Sequence, residues 1–152
     1  MAFSAVIILS CVNTGFAQSA GNARGIASVD IKYSSPERII NAIHDVYTTV
    51  GFEIVDSALD RMVFERAGSR KKDIAYGGLE GGVIEQVVIG LQEKSPTLFW
   101  LNCDVYMVKG RGGDPFFESR EPVMRAFGGE YRKLLNKVKI MAEAVPANII
   151  KK

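Results

Sequence analysis

Between Thr97 and Val108 the chain reads TLFWLNCDVYMV, and this run limits the fold more than any other. Side chains of an extended chain alternate between two faces. Phe99, Leu101, Cys103, Val105 and Met107 therefore share one face, and all five are apolar. The opposite face carries Leu98, Trp100, Asn102, Asp104, Tyr106 and Val108, a mixed surface that tolerates water. That is the pattern of a strand in an antiparallel sheet with helices packed on its inner face.

The segments around it supply the rest of such a sheet. Ile26 to Tyr33 alternates as a first strand, with Val29, Ile31 and Tyr33 on one side. Ser34-Ser35-Pro36-Glu37 then opens a helix. Either Ser35 caps it with Pro36 in the first helical position, or Ser34 and Glu37 form a capping box. Ile39, Ile43, Val46 and Val50 recur at helical spacing, and Gly51 is the expected terminator. Residues 52–56 and 61–66 read as a hairpin, and residues 83–93 as a strand that turns at Ser95-Pro96 into the opening run. A last helix follows Met124, Phe127, Tyr131, Leu134, Val138, Met141 and Val145, interrupted at Gly128-Gly129 and stopped by Pro146.

The expected fold is therefore α+β, an antiparallel sheet of about five strands with two main helices on one face, in the order β-α-β-β-β-β-α. The length of 152 residues suits one domain, assigned to residues 26–146 with a loose basic tail at 147–152.

The N-terminus is of another kind. No charge precedes Arg24, and Phe3 to Leu9 (FSAVIIL) is too short to span a bilayer as a helix, which takes about 20 residues. An apolar run followed by small residues has the form of an export signal. Gly15-Phe16-Ala17 places the expected cut after Ala17, giving a signal at residues 1–17 and a tether at 18–25. The absence of Lys or Arg before the apolar run counts against this. Ile8-Leu9-Ser10-Cys11 offers the competing form of a lipoprotein signal, with Cys11 as the acylated residue and the one attachment to a membrane. The expected location is thus periplasmic or extracellular, or membrane-attached as a lipoprotein. Removal of residues 1–17 leaves Cys103 alone, which allows neither a disulfide framework nor a cysteine metal cluster.

Charge narrows the partners. The formal net charge is only +2, too little to mark a nucleic-acid binder. From Arg120 onward, however, eight Lys/Arg stand against three Asp/Glu, so a basic final segment sits on a mildly acidic body.

No catalytic constellation emerges. His44 is the single histidine and lies at the border of the first helix's apolar stripe. With one histidine and one remaining cysteine, a four-ligand zinc site cannot be built. Cys103 falls on an apolar face that would raise its pKa and hide it. Asp104 and Asn102 supply the polarity that a wetted sheet face needs anyway. Neither a catalytic residue, a metal nor a cofactor is expected, and enzymatic action is the least favoured reading. Trp100 and Tyr106 on the outer face exceed what solubility requires and suggest a partner surface.

Two glycine-rich basic loops, 67–82 and 109–117, should meet at one end of the sheet. They would gather Arg70, Lys71, Lys72, Tyr76, Lys109, Arg111, Phe116 and Phe117, a set suited to an anion or a ring. Gly77 to Gly82 lacks the Lys-Ser/Thr of a phosphate loop. Flexible, charge-solubilised hairpin loops are the plain alternative.

The Pro36-led helix ending in Val50-Gly51-Phe52-Glu53-Ile54, followed by Arg61-Met62-Val63-Phe64, resembles small domains of bacterial envelope lipoproteins. These include accessory lipoproteins of outer-membrane assembly machines. The likeness spans Ser35 to Glu65 and implies a non-catalytic envelope role, with no functional residue carried over. The expected function is an exported binding or accessory protein whose partner is an envelope protein or an anionic envelope component. A small-ligand or anion-binding module using the two loops is the alternative.

Overall fold

The structure, a computed structural model, describes residues 25–77, 81–110 and 118–144. Its elements in chain order are β1 (Ala27–Lys32), α1 (Pro36–Thr49), β2 (Glu53–Ser57), β3 (Arg61–Ala67), α2 (Arg70–Tyr76), β4 (Ile84–Ser95), β5 (Leu98–Lys109) and β6 (Ser119–Pro122). A 3-10 turn, Arg125–Phe127, then leads into α3 (Gly128–Glu143). The architecture is α+β, a six-stranded antiparallel sheet in the order β1-β5-β4-β3-β2, with β6 also paired to β5.

The β4–β5 hairpin is the spine. Its twelve-residue strands pair from Ile84↔Val108 to Ser95↔Leu98. Phe99, Leu101, Cys103, Val105 and Met107 are all buried on the inner face, as their alternation requires. Cross-strand neighbours extend that face: Val87 lies opposite Val105 and Phe64, and Ile89 opposite Cys103 and Met62. The free edge of β5 is divided between two strands. β1 pairs along Leu98 to Cys103, and β6 along Tyr106 to Lys109.

α1 begins where Ser35 Oγ accepts the Arg38 amide at 3.3 Å, with Pro36 in the first turn. Ser34 does not form the alternative capping box. Its hydroxyl donates to the Ala142 carbonyl at 2.8 Å and ties the end of α3 to the start of α1. Gly51 follows the helix with φ of +86°, a left-handed turn that glycine takes without a Cβ clash. The ladder then proceeds to Phe52, whose ring meets Tyr47 edge-on at 5.5 Å. Ile39, Ala42, Ile43, Val46 and Tyr47 of α1 join Tyr131, Leu134, Leu135, Val138 and Ala142 of α3 in one core with the inner sheet face.

Four expectations need correction. The stretch 67–82, read as loop, contains α2, so the sheet carries three helices. A short edge strand that the expected order does not include, β6, lies at Ser119–Pro122. The final helix is α-helical only from Gly128, entered through the 3-10 turn, and it ends at Glu143. Met124 and Met141, read as part of its apolar stripe, are exposed, and Val145 and Pro146 lie outside the described residues.

The packing separates two apolar residues on α3. Leu135 is 1% exposed, and Leu135→Ala is expected to cost about 2–5 kcal/mol. Ile140 is 70% exposed, and Ile140→Ala should stay within about 0.5 kcal/mol of the parent. Urea unfolding of both variants measures the contrast.

Candidate functional site

Strand β4 puts a carboxylate where its alternation calls for an apolar residue. Glu85 lies on the inner phase between Val83 and Val87, opposite Arg66 of β3 and Met107 of β5. It is fully buried. An unpaired carboxylate there would be prohibitively costly, so its surroundings must supply charge and donors. Lys72 Nζ of α2 reaches Glu85 Oε2 at 2.6 Å, the Tyr131 hydroxyl of α3 donates to Oε1 at 2.8 Å, and Arg66 donates to Oε1 at 3.0 Å. Lys72 also bonds Glu130 Oε2 and the Tyr131 oxygen, each at 3.0 Å, and Arg66 bonds Glu130 Oε1. Two acids and two bases thus close a neutral cluster that joins β3, β4, α2 and α3.

The side chains of the cluster are held from outside as well. The Arg66 guanidinium lies 4.1 Å from the centre of the Phe52 ring and donates to the Val50 carbonyl at 3.1 Å. Partial burial would weaken its hold on the proton, but the hydrogen bond to Glu130 and the Glu85 charge outweigh that and raise its pKa. Burial likewise pushes Glu130 upward, yet its bonds to Arg66 and Lys72 win and leave its pKa below the usual value. The Tyr131 hydroxyl is driven well above its ordinary range, first by burial and then by the Glu85 charge. Among the described residues no buried side-chain nitrogen or oxygen lacks a partner. A cluster so closed, with Glu85, Lys72 and Tyr131 sealed from solvent, is a strut.

The residues singled out from sequence divide sharply. β4 and β5 bring Gly82 and Lys109, one from each glycine-rich stretch, to one end of the sheet, since Ile84 pairs with Val108. The side chains of the first stretch do not all face outward, however. Lys72 and Tyr76, one helical turn apart on α2, are both buried. Lys72 enters the Glu85 cluster, and the Tyr76 hydroxyl accepts the Met124 amide at 2.5 Å. Neither can meet a ligand arriving from solvent. Arg70 and Lys71 stay exposed, and Lys109 pairs with Glu121 at 2.7 Å. Arg111, Phe116 and Phe117 lie outside the described residues.

Trp100 and Tyr106 are half-buried on the outer sheet face, where none of the described helices packs. Lys94 Nζ stands 5.3 Å from the Trp100 ring, and the Arg120 guanidinium 3.6 Å from that of Tyr106. His44 is exposed, with Asp45 at 3.9 Å, beyond hydrogen-bond range. Cys103 is sealed in the core, its sulfur 3.9 Å from the Tyr47 hydroxyl, and burial pushes the thiol up to about 12. The described residues hold no group of three or more His, Cys, Asp or Glu able to bind a metal.

A cavity of about 580 Å³ opens where the two partners of β5 leave a gap. β1 pairing begins at Cys103 and β6 pairing at Tyr106, which leaves Asp104 and Val105 between them. Asp104, Tyr106, Pro122, Arg125, Gly128, Gly129 and Arg132 line this space. Burial raises the pKa of Asp104, and the neighbouring Arg120 charge only partly offsets it.

The sequence contained two neglected signals. Glu85 breaks the apolar alternation of its strand at an inward position. Ser69 and Gly77 bracket seven residues as helix cap and terminator, and Gly77 does adopt a left-handed φ of +71°. Arg125 and Arg132 carry no such signal, because a basic helix surface is ordinarily just solvated.

No protein-family model matches this sequence, and no curated protein matches it. Among solved structures, the adenylate sensor from AMP-activated protein kinase, in complex with 5-aminoimidazole-4-carboxamide 1-beta-D-ribofuranotide, is 14% identical. The alignment covers 72% of this chain and 93% of that one, with a TM-score of 0.46. A likeness at that level carries no argument about function.

Two outcomes are expected from the cluster. Lys72→Met strands the Glu85 charge and should cost about 3–5 kcal/mol, whereas Lys72→Met combined with Glu85→Met should cost clearly less than the two single changes added. Denaturant titration of the four-member cycle checks this. The lowered pKa of Glu130 stabilises the fold fully above its unfolded value of 4.5, and that contribution is lost as pH falls through the folded value. Glu130→Gln should therefore lower the melting temperature at pH 7 and make little difference in strong acid.

Proposed function

We propose that this chain is an exported, non-catalytic domain of the bacterial envelope that acts by binding. The observation that carries the reading is the state of its reactive groups. Cys103 has no exposure and a thiol raised to about 12. Glu85, Lys72 and Tyr131 are spent on one another in the interior. A group that is sealed from solvent and already fully bonded cannot exchange a proton or an electron pair with a substrate. What faces solvent is a half-buried aromatic pair on an open sheet face, and a cavity beside a basic helix. These are features of recognition.

The envelope location is supported by the apolar run Phe3 to Leu9, by Gly15-Phe16-Ala17 ahead of a small, polar stretch, and by the resemblance over Ser35 to Glu65. The partner surface on this reading is the outer face at Trp100 and Tyr106, offered to an envelope protein or an anionic envelope component. Mass spectrometry of the protein purified from its own cells tests the assignment. A chain beginning at Gln18, or one acylated at Cys11, is the expected result. An intact start at Met1 in a soluble cytosolic fraction would sink it.

A further inference from the structure

We propose that the cavity between the divided edge of β5 and the start of α3 binds a small zwitterion. Its phosphate or carboxylate lies on Arg125 and Arg132, and its ammonium on Asp104. This rests on reading the chain as a binding domain and names what one of its sites takes.

At about 580 Å³ the cavity has the size of a small-molecule site. Its position follows from topology, because the backbone around Asp104 and Val105 lies between the ends of β1 and β6. The Val105 carbonyl accepts the Val123 amide at 2.8 Å, which brings the 3-10 turn and the first turn of α3 against the gap. Arg125 in the 3-10 turn and Arg132 in the second turn of α3 both line this cavity. Both are exposed on the cavity wall, and neither has a hydrogen bond or an ion pair with any described residue. Arg66, by contrast, is bound by Glu85, Glu130 and the Val50 carbonyl. Two unengaged guanidinium groups on one wall are suited to the forked recognition of a carboxylate or phosphate.

Gly128 and Gly129 lie between them. Packing explains the first, since a Cβ on Gly128 would meet the Ile26 side chain at 3.1 Å. Nothing in the fold explains the second. A Cβ on Gly129 would meet no atom within 4 Å, and its backbone is in an ordinary helical conformation. Glycine is the poorest helix former after proline, so its presence in an open first turn works against stability. Bare backbone at that point gives a ligand room to approach the helix closely. The glycine and the two arginines thus point to the same occupant from independent directions.

Asp104 supplies the opposite charge. Asp104 is half-buried and lines the cavity, and among the described residues its carboxylate has only a long contact, 3.4 Å, from the Asn102 amide. The charge of Arg120, stacked on Tyr106, partly offsets the effect of burial on the Asp104 carboxyl. Burial disfavours the ionised form of Asp104, and an arriving ammonium would restore it. A cavity lined by two arginines and an aspartate matches a molecule that carries both signs.

The test is calorimetric titration of the full chain with O-phosphoethanolamine, with β-alanine, and with inorganic phosphate as the comparison. One of the two zwitterions should bind more tightly than phosphate. Arg125→Ala and Arg132→Ala, both surface changes that leave folding intact, should each weaken it about tenfold or more, the loss expected for a charge-assisted contact. Asp104→Asn should remove the advantage over phosphate. Gly129→Ala should raise the melting temperature while weakening the ligand, a combination that a purely structural glycine would not give. Cosedimentation with phosphatidylethanolamine vesicles, lost in the two arginine variants, would assign the source to a lipid headgroup. Soluble binding without cosedimentation would assign it to a free metabolite. No heat with either zwitterion at millimolar concentration, or binding indifferent to both arginine variants, overturns the proposal. An unprocessed N-terminus would remove the envelope location without touching this titration, so the two failures are distinguishable.

Discussion

The carboxylate of Glu85 is the constraint around which the interior is arranged. It sits at zero exposure on the inner face of the central hairpin, where its in-phase neighbours Val83, Val87 and Ile89 are apolar. Leaving it unpaired would cost more than any nearby contact returns, so Lys72, Arg66 and Tyr131 must all converge on it. That requirement fixes α2, a helix of only seven residues that could not persist alone in water. It also sets the rotation of α3, because Tyr131 and Glu130 must both reach the cluster from its first two turns. Glu130 completes the balance of two acids and two bases.

A second consequence reaches the surface. The α3 helix starts where the cluster demands, and its entry is tied down by the Tyr76 hydroxyl on the Met124 amide. The 3-10 turn and the bare Gly128-Gly129 step are thereby placed beside the gap in the β5 edge. Interior charge pairing and the open cavity are in this sense one arrangement, joined through the first turn of α3. On the other face of the sheet Trp100 and Tyr106 stand in the outer row, each beneath a cation, and Tyr106 also lines the cavity.

Much of the framework was legible in the order of residues. Alternation in TLFWLNCDVYMV gave β5 its two faces, Ser35-Pro36 opened α1, Gly51 closed it, and Ser95-Pro96 set the hairpin that became the spine. These are local signals, and local geometry suffices to express them. The failures were equally specific. Lys72 and Tyr76 were read as loop residues because a run of Arg-Lys-Lys-Asp normally stays in water. Lys72 is buried against Glu85, thirteen residues away in sequence and in contact only across the fold, and Tyr76 against Met124 and Phe127. Met141 was counted as core because its spacing was right, but α3 packs on the sheet over too narrow a stripe to cover it.

By itself the sequence determined the α+β class, the antiparallel hairpins, the two long helices, the inner row of β5 and the burial of Cys103. Each of these follows from periodicity or from a cap within a few residues, where chain geometry leaves little choice. Only the tertiary structure decided that β5 shares one edge between β1 and β6, that Glu85 gathers Lys72, Arg66 and Tyr131 around it, and that Arg125, Arg132 and Asp104 line one cavity. Those outcomes compare contacts between segments far apart in the chain. Such contacts are settled by the cost of burying charge and of filling space, and no local pattern records either cost.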